Sequence, residues 1–117
     1  MDIRTRRVYE AASGDDGYRV LVDRVWPRGV TKEKAAVDLW LKDAAPTDAL
    51  RKWFGHDPAK WDEFRERYFK ELDSAGPAVE KLLGMARERR LTLVFGARDV
   101  EHNNAVALKE YLTRKKR

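Results

Sequence analysis

The chain of 117 residues contains no cysteine, so disulfide bonds, thiolate nucleophiles and cysteine-based zinc or iron–sulfur sites are excluded. No run approaches the roughly 18 apolar residues that would read as a membrane span. The first seven residues, MDIRTRR, lack the apolar core of a signal peptide. We therefore expect a cytoplasmic protein without a membrane partner.

Motifs of several large enzyme classes are also missing. The sequence has no P-loop, no GxGxxG and no GxSxG pattern, which leaves P-loop nucleotide hydrolysis, ordinary dinucleotide redox chemistry and esterase-type catalysis without support. The two histidines, His56 and His102, lie far apart in sequence, so a metal site would need carboxylate ligands. We predict neither a metal ion nor a cofactor.

What is present is the composition of one folded domain spanning residues 1–117. Charged residues make up 38% and hydrophobic residues 43% of the chain, with four residues each of Trp, Tyr and Phe. The net charge of +5 favours anionic partners but falls short of a polybasic tract. The composition leaves the oligomeric state open.

The chain is organised around residues 20–29, VLVDRVWPRG. Three consecutive β-favouring apolar residues predict a strand buried on both faces of a sheet. Pro27 and Gly29 then predict a sharp turn, because proline cannot donate to a strand ladder and glycine tolerates unusual backbone angles. Ligands of open α/β sheets bind outside the carboxyl ends of strands, so Arg24 and Arg28 are the leading binding residues.

A second apolar stretch, residues 91–97 (LTLVFGA), also predicts a buried strand that ends abruptly in polar residues. Weaker strand patterns cover residues 3–9, whose three arginines suggest an edge position, and residues 37–42. Residues 37–42 fit either strand or helical spacing, and we narrowly favour a strand because Ala45-Pro46 ends the pattern. Helices are predicted over 47–54, 58–72, about 78–89 and 104–115, with a short one after Thr31.

Helices lie between the strongest predicted strands. This alternation predicts a small α/β domain with a mainly parallel sheet of about four strands flanked by helices. If the two buried strands are adjacent and parallel, their polar ends meet at one crevice. The residues expected there are Asp23, Arg24, Trp26, Arg28, Arg98, Asp99, His102, Asn103 and Asn104.

These residue types suit a ligand with a phosphate or carboxylate group. Arginine guanidinium groups bind such anions bidentately, so Arg24, Arg28 and Arg98 are predicted to hold the ligand. Trp26, Asn103 and Asn104 are further candidate binding residues, and the N-terminus of the last helix adds free N–H groups. For catalysis, we expect Asp23 or Asp99 to orient an arginine or act as a base, and His102 to be the proton carrier.

Each of these residues also has a structural interpretation. Asp23 with Arg24 or Arg98 is compatible with an ion pair that holds the strand ends together, and Trp26 with ordinary packing. One of Asn103 and Asn104 suits the N-cap of the last helix, and His102 suits a plain surface position. The basic C-terminus, RKKR at 114–117, reads as a solvated helix end or as a contact for nucleic acid.

Three functions follow from these alternatives. We expect first a domain that binds an anionic small molecule in the crevice, with or without turnover. The alternative is a nucleic-acid-binding module that uses the same arginines, Trp26 and the basic C-terminus. The third is a protein-interaction domain in which the polar cluster is purely structural.

Several stretches resemble the bacterial and archaeal YeaO-like family, part of the group called domain of unknown function 488. The matching stretches are RVY at 7–9, GYRVLVDRVWPRG at 17–29, LWLKDAAPT at 39–47, LRKWFGHDPAKWDEFRERY at 50–68 and LTLVFGARDVEHNNAVALKEYL at 91–112. The resemblance implies a compact α/β domain with no settled activity. In the wider group the last strand leads toward a Cys-His-Arg segment, and this chain has Asn103-Asn104-Ala105 there. Thiol chemistry therefore cannot be carried over.

Overall fold

The computed structural model describes residues 1–115 and confirms the α/β fold. Within that range, no helix is both long and apolar enough to cross a membrane. Short 3₁₀ turns occupy Gly14–Asp16, Lys42–Ala44 and Pro58–Lys60. The main elements are Ile3–Arg7 (β1), Tyr18–Leu21 (β2), Lys32–Ala35 (α1), Leu39–Trp40 (β3), Asp48–Phe54 (α2), Trp61–Asp73 (α3), Gly76–Glu88 (α4), Leu91–Phe95 (β4) and Asn104–Lys115 (α5).

The four strands of the described chain form one sheet in the order β1-β4-β2-β3, and every neighbouring pair is parallel. The two strongly apolar strands β2 and β4 are therefore adjacent, with Val20 opposite Leu93. The strand β1, rich in arginine, lies at one edge as predicted. Because all strands run the same way, all four carboxyl ends meet at one side of the sheet.

Both faces of the sheet are covered. Val20 and Leu93 point to the face packed by α3, α4 and α5, where Phe64 and Leu108 complete the larger core. Leu21 points the other way, as alternation along a strand requires. There it packs in a second cluster whose other buried members are Val8, Ala35 and Val94, with Trp26 and Trp40 against them. This second face is covered mainly by the segment between β2 and β3, which includes the predicted turn.

Several element boundaries differ from those predicted. The strands predicted over 3–9 and 91–97 end at Arg7 and Phe95. The strand interpretation of 37–42 is right, but β3 contains only Leu39 and Trp40 before a 3₁₀ turn begins. The helix expected from Pro58 begins with a 3₁₀ turn capped by Asp57 and becomes α-helical at Trp61. The helix expected from about residue 78 begins earlier, because Gly76 and Pro77 form the first turn of α4, where proline loses no needed donor.

Candidate functional site

A cavity of about 480 Å³ opens at the carboxyl edge of the sheet, and we call it the strand-end cavity. Its polar and charged lining residues are Tyr9, Asp23, Arg24, Trp26, Arg28, Arg51, His56, Asn103 and Asn104. Its remaining lining residues are Val25, Pro27, Pro46, Phe54, Phe64, Gly96 and Ala97. Six of the nine residues that the sequence grouped together therefore line one cavity.

Asp23 joins the ends of the two central strands to helix α5. Its Oδ2 accepts a hydrogen bond from the backbone N–H of Gly96 at 2.9 Å, just beyond β4. Its Oδ1 accepts from the side-chain amide of Asn104 at 3.1 Å, and the same amide nitrogen donates to the Val22 carbonyl at 2.9 Å. Glycine at position 96 permits this approach, because a Cβ there would lie 3.0 Å from Asp23 Oδ2.

Asp23 thus holds the strand ends together by accepting hydrogen bonds from amide N–H groups, and not by pairing with an arginine. No arginine within residues 1–115 forms an ion pair with this carboxylate, so the proposed pairing with Arg24 or Arg98 is wrong. Arg24 is turned away toward the carbonyl groups of Ala45 and Pro46. Arg98 is exposed to solvent.

Burial raises the pKa of Asp23 above its usual value of 3.8. The hydrogen bonds from Asn104 and Gly96 favour the charged form and oppose this effect, as do the more distant charges of His56 and Arg51. Burial nevertheless prevails, because removing a carboxylate from water disfavours its charge.

The raised pKa predicts a pH-dependent stability difference between the native protein and the Asp23→Asn variant. A carboxyl group whose pKa rises on folding stabilises the fold most below its unfolded pKa, and that contribution is lost as pH rises through the folded pKa. We therefore expect the native protein to lose stability relative to Asp23→Asn as pH rises above about 4, the unfolded value. Urea denaturation of both proteins at several pH values measures the difference, and a difference independent of pH would contradict this account of Asp23.

Two arginines of the cavity have no carboxylate partner within the described residues. Arg24 is half-buried, and its Nε and one terminal nitrogen donate to Pro46 O at 2.9 Å and Ala45 O at 3.2 Å. Arg28 is exposed at the rim, and only its backbone carbonyl is engaged, by the Tyr9 hydroxyl at 2.9 Å. The third arginine, Arg51, forms an exposed pair with Asp48 at 3.2 Å. The cavity therefore carries an excess of positive charge.

Trp26 has the packing role considered for it, and it also lines the cavity. Its ring packs edge-on against Trp40 with centroids 5.3 Å apart, and its Nε1 donates to the Val30 carbonyl at 2.7 Å. These contacts fix the turn after β2 against the second apolar cluster. Trp26 also lines the strand-end cavity, so the packing that holds the turn places an aromatic ring at the site.

Asn103 is the N-cap of α5, which confirms the structural interpretation for one of the two asparagines. Its Oδ1 accepts from the backbone N–H of Val106 at 3.0 Å, and its Nδ2 donates to the Asp99 carbonyl at 2.9 Å. Both polar groups are satisfied within the protein, and the side chain is only 2% exposed. Asn104 is the asparagine whose amide contacts the Asp23 carboxylate.

Arg98, Asp99 and His102 do not line the cavity. Asp99 instead organises the turn before α5, because its Oδ1 accepts from the backbone N–H groups of Glu101 and His102 at 2.9 and 3.0 Å. The hydrogen bond from Glu101, with that from the His102 side chain, holds the pKa of Asp99 below its usual value. His102 Nδ1 lies 2.9 Å from Asp99 Oδ2, and its ring packs edge-on against Trp61. The prediction that Arg98, Asp99 and His102 share the crevice with the other residues is therefore wrong.

Three functional groups of the cavity were not predicted as site residues: Tyr9, Arg51 and His56. Tyr9 follows β1, while Arg51 and His56 lie in and just after α2. His56 lies in the turn between α2 and the Asp57 cap, with a positive φ of 59°. The order and direction of the strands could have indicated these residues, because β1 and β3 end at the same edge of the sheet as the two central strands.

Known proteins resemble this chain over nearly its whole length. The family model DUF488-N3i, described as "Inactive DUF488-N3 subclade", matches residues 2–117. The chain is 39% identical over 112 residues to the uncharacterised protein YeaO of Escherichia coli K12, covering 96% of this chain and 97% of the relative. It is 43% identical over 111 residues to uncharacterised proteins of Mycobacterium bovis and Mycobacterium tuberculosis, covering 94% of this chain and 92% of each relative. No solved structure matches it significantly.

Proposed function

This chain belongs to the DUF488-N3i family, and on that premise we propose that it binds a small phosphate- or carboxylate-bearing ligand in the strand-end cavity. The observation that carries the proposal is the charge of the lining. Among residues 1–115, three arginines line the cavity against the single carboxylate of Asp23, and only Arg51 has a carboxylate partner, Asp48, outside the lining.

The half-buried position of Arg24 strengthens this argument. Its guanidinium group makes two hydrogen bonds to carbonyl groups, which orient it without neutralising its charge. Its other terminal nitrogen has no acceptor among residues 1–115 and can donate to a ligand. A charge in a partly dry site interacts more strongly with an opposite charge than a fully solvated one does. An anion in the cavity therefore gains from Arg24 as well as from the exposed Arg28.

We propose binding without turnover. The family description uses the word inactive, and two of the three residues predicted for proton transfer, Asp99 and His102, lie outside the cavity lining. The third, Asp23, already accepts hydrogen bonds from Gly96 and Asn104. Its carboxylate is better suited to orienting these elements than to moving during a reaction.

Arg28→Gln is expected to weaken ligand binding about thirty-fold. A charge-assisted hydrogen bond contributes about 2 kcal/mol, and glutamine keeps hydrogen-bonding capacity while removing the charge. The measurement is a thermal-shift screen of both proteins with inorganic phosphate, sugar phosphates, carboxylic acids, mononucleotides and short oligonucleotides. A ligand at about 100 times its Kd stabilises by roughly 2.7 kcal/mol, a shift on the order of 10 °C for a domain of this size.

The matched control is Arg87→Gln, which makes the same charge change at an exposed position of α4 outside the cavity lining. It should bind like the native protein. Equal weakening in both variants would show that only net charge matters and would refute a localised site. Repeating the screen at high salt tests the nucleic-acid alternative, because binding through many phosphate contacts weakens steeply with salt whereas a single-anion site responds far less. Residues Lys116 and Arg117 of the basic C-terminus lie outside the described residues.

A further inference from the structure

The polar groups of the strand-end cavity are sorted by depth. The exposed rim carries the cations Arg28 and Arg51, together with His56. The half-buried polar groups beneath include the Asp23 carboxylate and the Asn104 side chain. Arg24 is also half-buried, but its guanidinium group is turned toward the carbonyl groups of Ala45 and Pro46. The acceptors beneath the rim are therefore those of Asp23 and Asn104, and a ligand that contacts both levels must itself be asymmetric.

The side-chain oxygens of Asp23 and Asn104 can accept further hydrogen bonds. Each oxygen of the Asp23 carboxylate accepts one hydrogen bond, from Gly96 N or from Asn104 Nδ2, and a carboxylate oxygen can accept two. The Asn104 amide nitrogen donates to both Val22 O and Asp23 Oδ1, which fixes its orientation and leaves its oxygen without a protein donor among residues 1–115. An anion would be repelled here, whereas a group with N–H donors would be held.

Aromatic and apolar side chains make up much of the remaining lining. Phe54 and Phe64 are buried and stacked on each other with centroids 4.4 Å apart, and both line the cavity. Trp26, Pro27 and Pro46 also line it. Such walls favour a planar ring over a hydroxyl-rich sugar, and the volume of about 480 Å³ lies within the usual range for small-molecule sites.

We propose that the occupant is a mononucleotide whose base enters the cavity toward Asp23 and Asn104 while its phosphate stays at the arginine-bearing rim. Guanine is the base that fits the floor, because its N1–H and 2-amino group present two neighbouring donors to one carboxylate. Adenine and cytosine each present one amino group beside an acceptor, and uracil presents one N–H between two acceptors. This inference rests on the proposed function, since it assigns the rim to the phosphate.

Isothermal titration of the native protein with guanosine, adenosine, cytidine and uridine 5′-monophosphates, and with ribose 5-phosphate, tests the assignment. We expect the guanine nucleotide to bind at least tenfold more tightly than ribose 5-phosphate and uridine 5′-monophosphate. Inosine 5′-monophosphate keeps N1–H but lacks the 2-amino group, and it should bind about tenfold more weakly than the guanine nucleotide. This comparison needs no protein variant.

Two variants locate the parts of the ligand. Asp23→Asn should remove the preference for guanine and retain binding of ribose 5-phosphate, whereas Arg28→Gln should weaken every phosphate compound by a similar factor. If Asp23→Asn does not fold, the guanine-to-inosine ratio of the native protein decides alone.

The failures of the two proposals are distinguishable. Equal affinity for the guanine nucleotide and ribose 5-phosphate, or for all four nucleotides, would overturn the nucleotide assignment and leave the anion site intact. Binding of none of the phosphate compounds or of simple carboxylic acids would overturn both.

Discussion

Gly17→Ala is expected to destabilise the protein by about 4 kcal/mol or more, a large part of the roughly 5 to 15 kcal/mol that holds a domain together. Gly17 has φ 66° and ψ −134°, a combination that side-chain-bearing residues essentially do not adopt. A Cβ at this position would also lie 2.1 Å from the carbonyl oxygen of Arg90. Backbone strain and overlap with backbone atoms therefore act together.

The overlap cannot be relieved cheaply, because the Arg90 carbonyl begins the pairing of the two central strands. It accepts the backbone N–H of Tyr18 at 2.9 Å, immediately before β4. Arg90 is itself held by its side chain, which contacts Asp2 at 2.6 Å and the Asp15 carbonyl. Moving this carbonyl would disturb the first rung between β2 and β4.

Urea denaturation or thermal unfolding of Gly17→Ala measures the effect. Gly14→Ala is the matched control, since a Cβ there would meet nothing within 4 Å and the change should stay within about 1 kcal/mol. A similar small effect at position 17 would contradict the geometry of this turn.

Asp16→Ala is expected to cost about 3 to 5 kcal/mol, because it would leave the buried cation of Arg19 unpaired. Both side chains are 5% exposed, and Arg19 Nη1 lies 2.6 Å from Asp16 Oδ2. The other Arg19 nitrogens donate to the carbonyl groups of Ala35 and Ala36, which satisfy hydrogen bonds without neutralising the charge. Glu63→Ala, in the half-exposed pair with Arg67, is the control and should cost less than about 1 kcal/mol.

The Asp16–Arg19 pair also predicts that the stability of the protein depends on pH. Burial alone would raise the pKa of Asp16, but hydrogen bonds from Ser13 N–H and Arg19 and the charge of Arg6 outweigh it and lower the pKa. A lowered folded pKa gives stability that is present above the unfolded value near 3.8 and lost as pH falls through the folded value. The deficit of Asp16→Ala should therefore shrink below about pH 4, and a constant deficit down to low pH would argue against the pair.

The contacts behind these two predictions lie apart from the proposed binding site. Gly17, Asp16 and Arg19 lie at the amino end of β2, whereas the strand-end cavity lies beyond its carboxyl end. Arginine variants at the cavity rim can then alter binding without removing the contacts that hold the sheet together.

The fold was predictable because local signals agreed with one another. Buried strands read from 20–22 and 91–97 correspond to β2 and β4, and their parallel adjacency brought Asp23 and Asn104 into contact. Two helical segments begin directly after the N-cap residues Thr47 and Asp57, which can be recognised in the sequence. By contrast, the Asp16–Arg19 pair joins residues only three apart whose burial depends on α1 folding over them, which no local pattern reveals.

The site was predicted in part because only two strand ends were considered. With the order β1-β4-β2-β3, four strand ends meet at one edge, and the outer two bring Tyr9 and the segment containing Arg51 and His56. Too many residues after β4 were assigned to the site. Asp99 and His102 form a hydrogen bond with each other within one turn and do not line the cavity. Sequence shows which residues follow a strand but not which way a tight turn directs them.

The most direct test of the anion site is a phosphate titration followed by amide chemical shifts of the isotopically labelled protein, at constant ionic strength. We expect saturable shifts concentrated at Tyr9, Arg24 and Arg28, a requirement for about thirty-fold more phosphate in Arg28→Gln, and no change at the α4 surface around Arg87. Shifts that are spread over all basic surfaces, or that persist unaltered in Arg28→Gln, would contradict the proposed anion site.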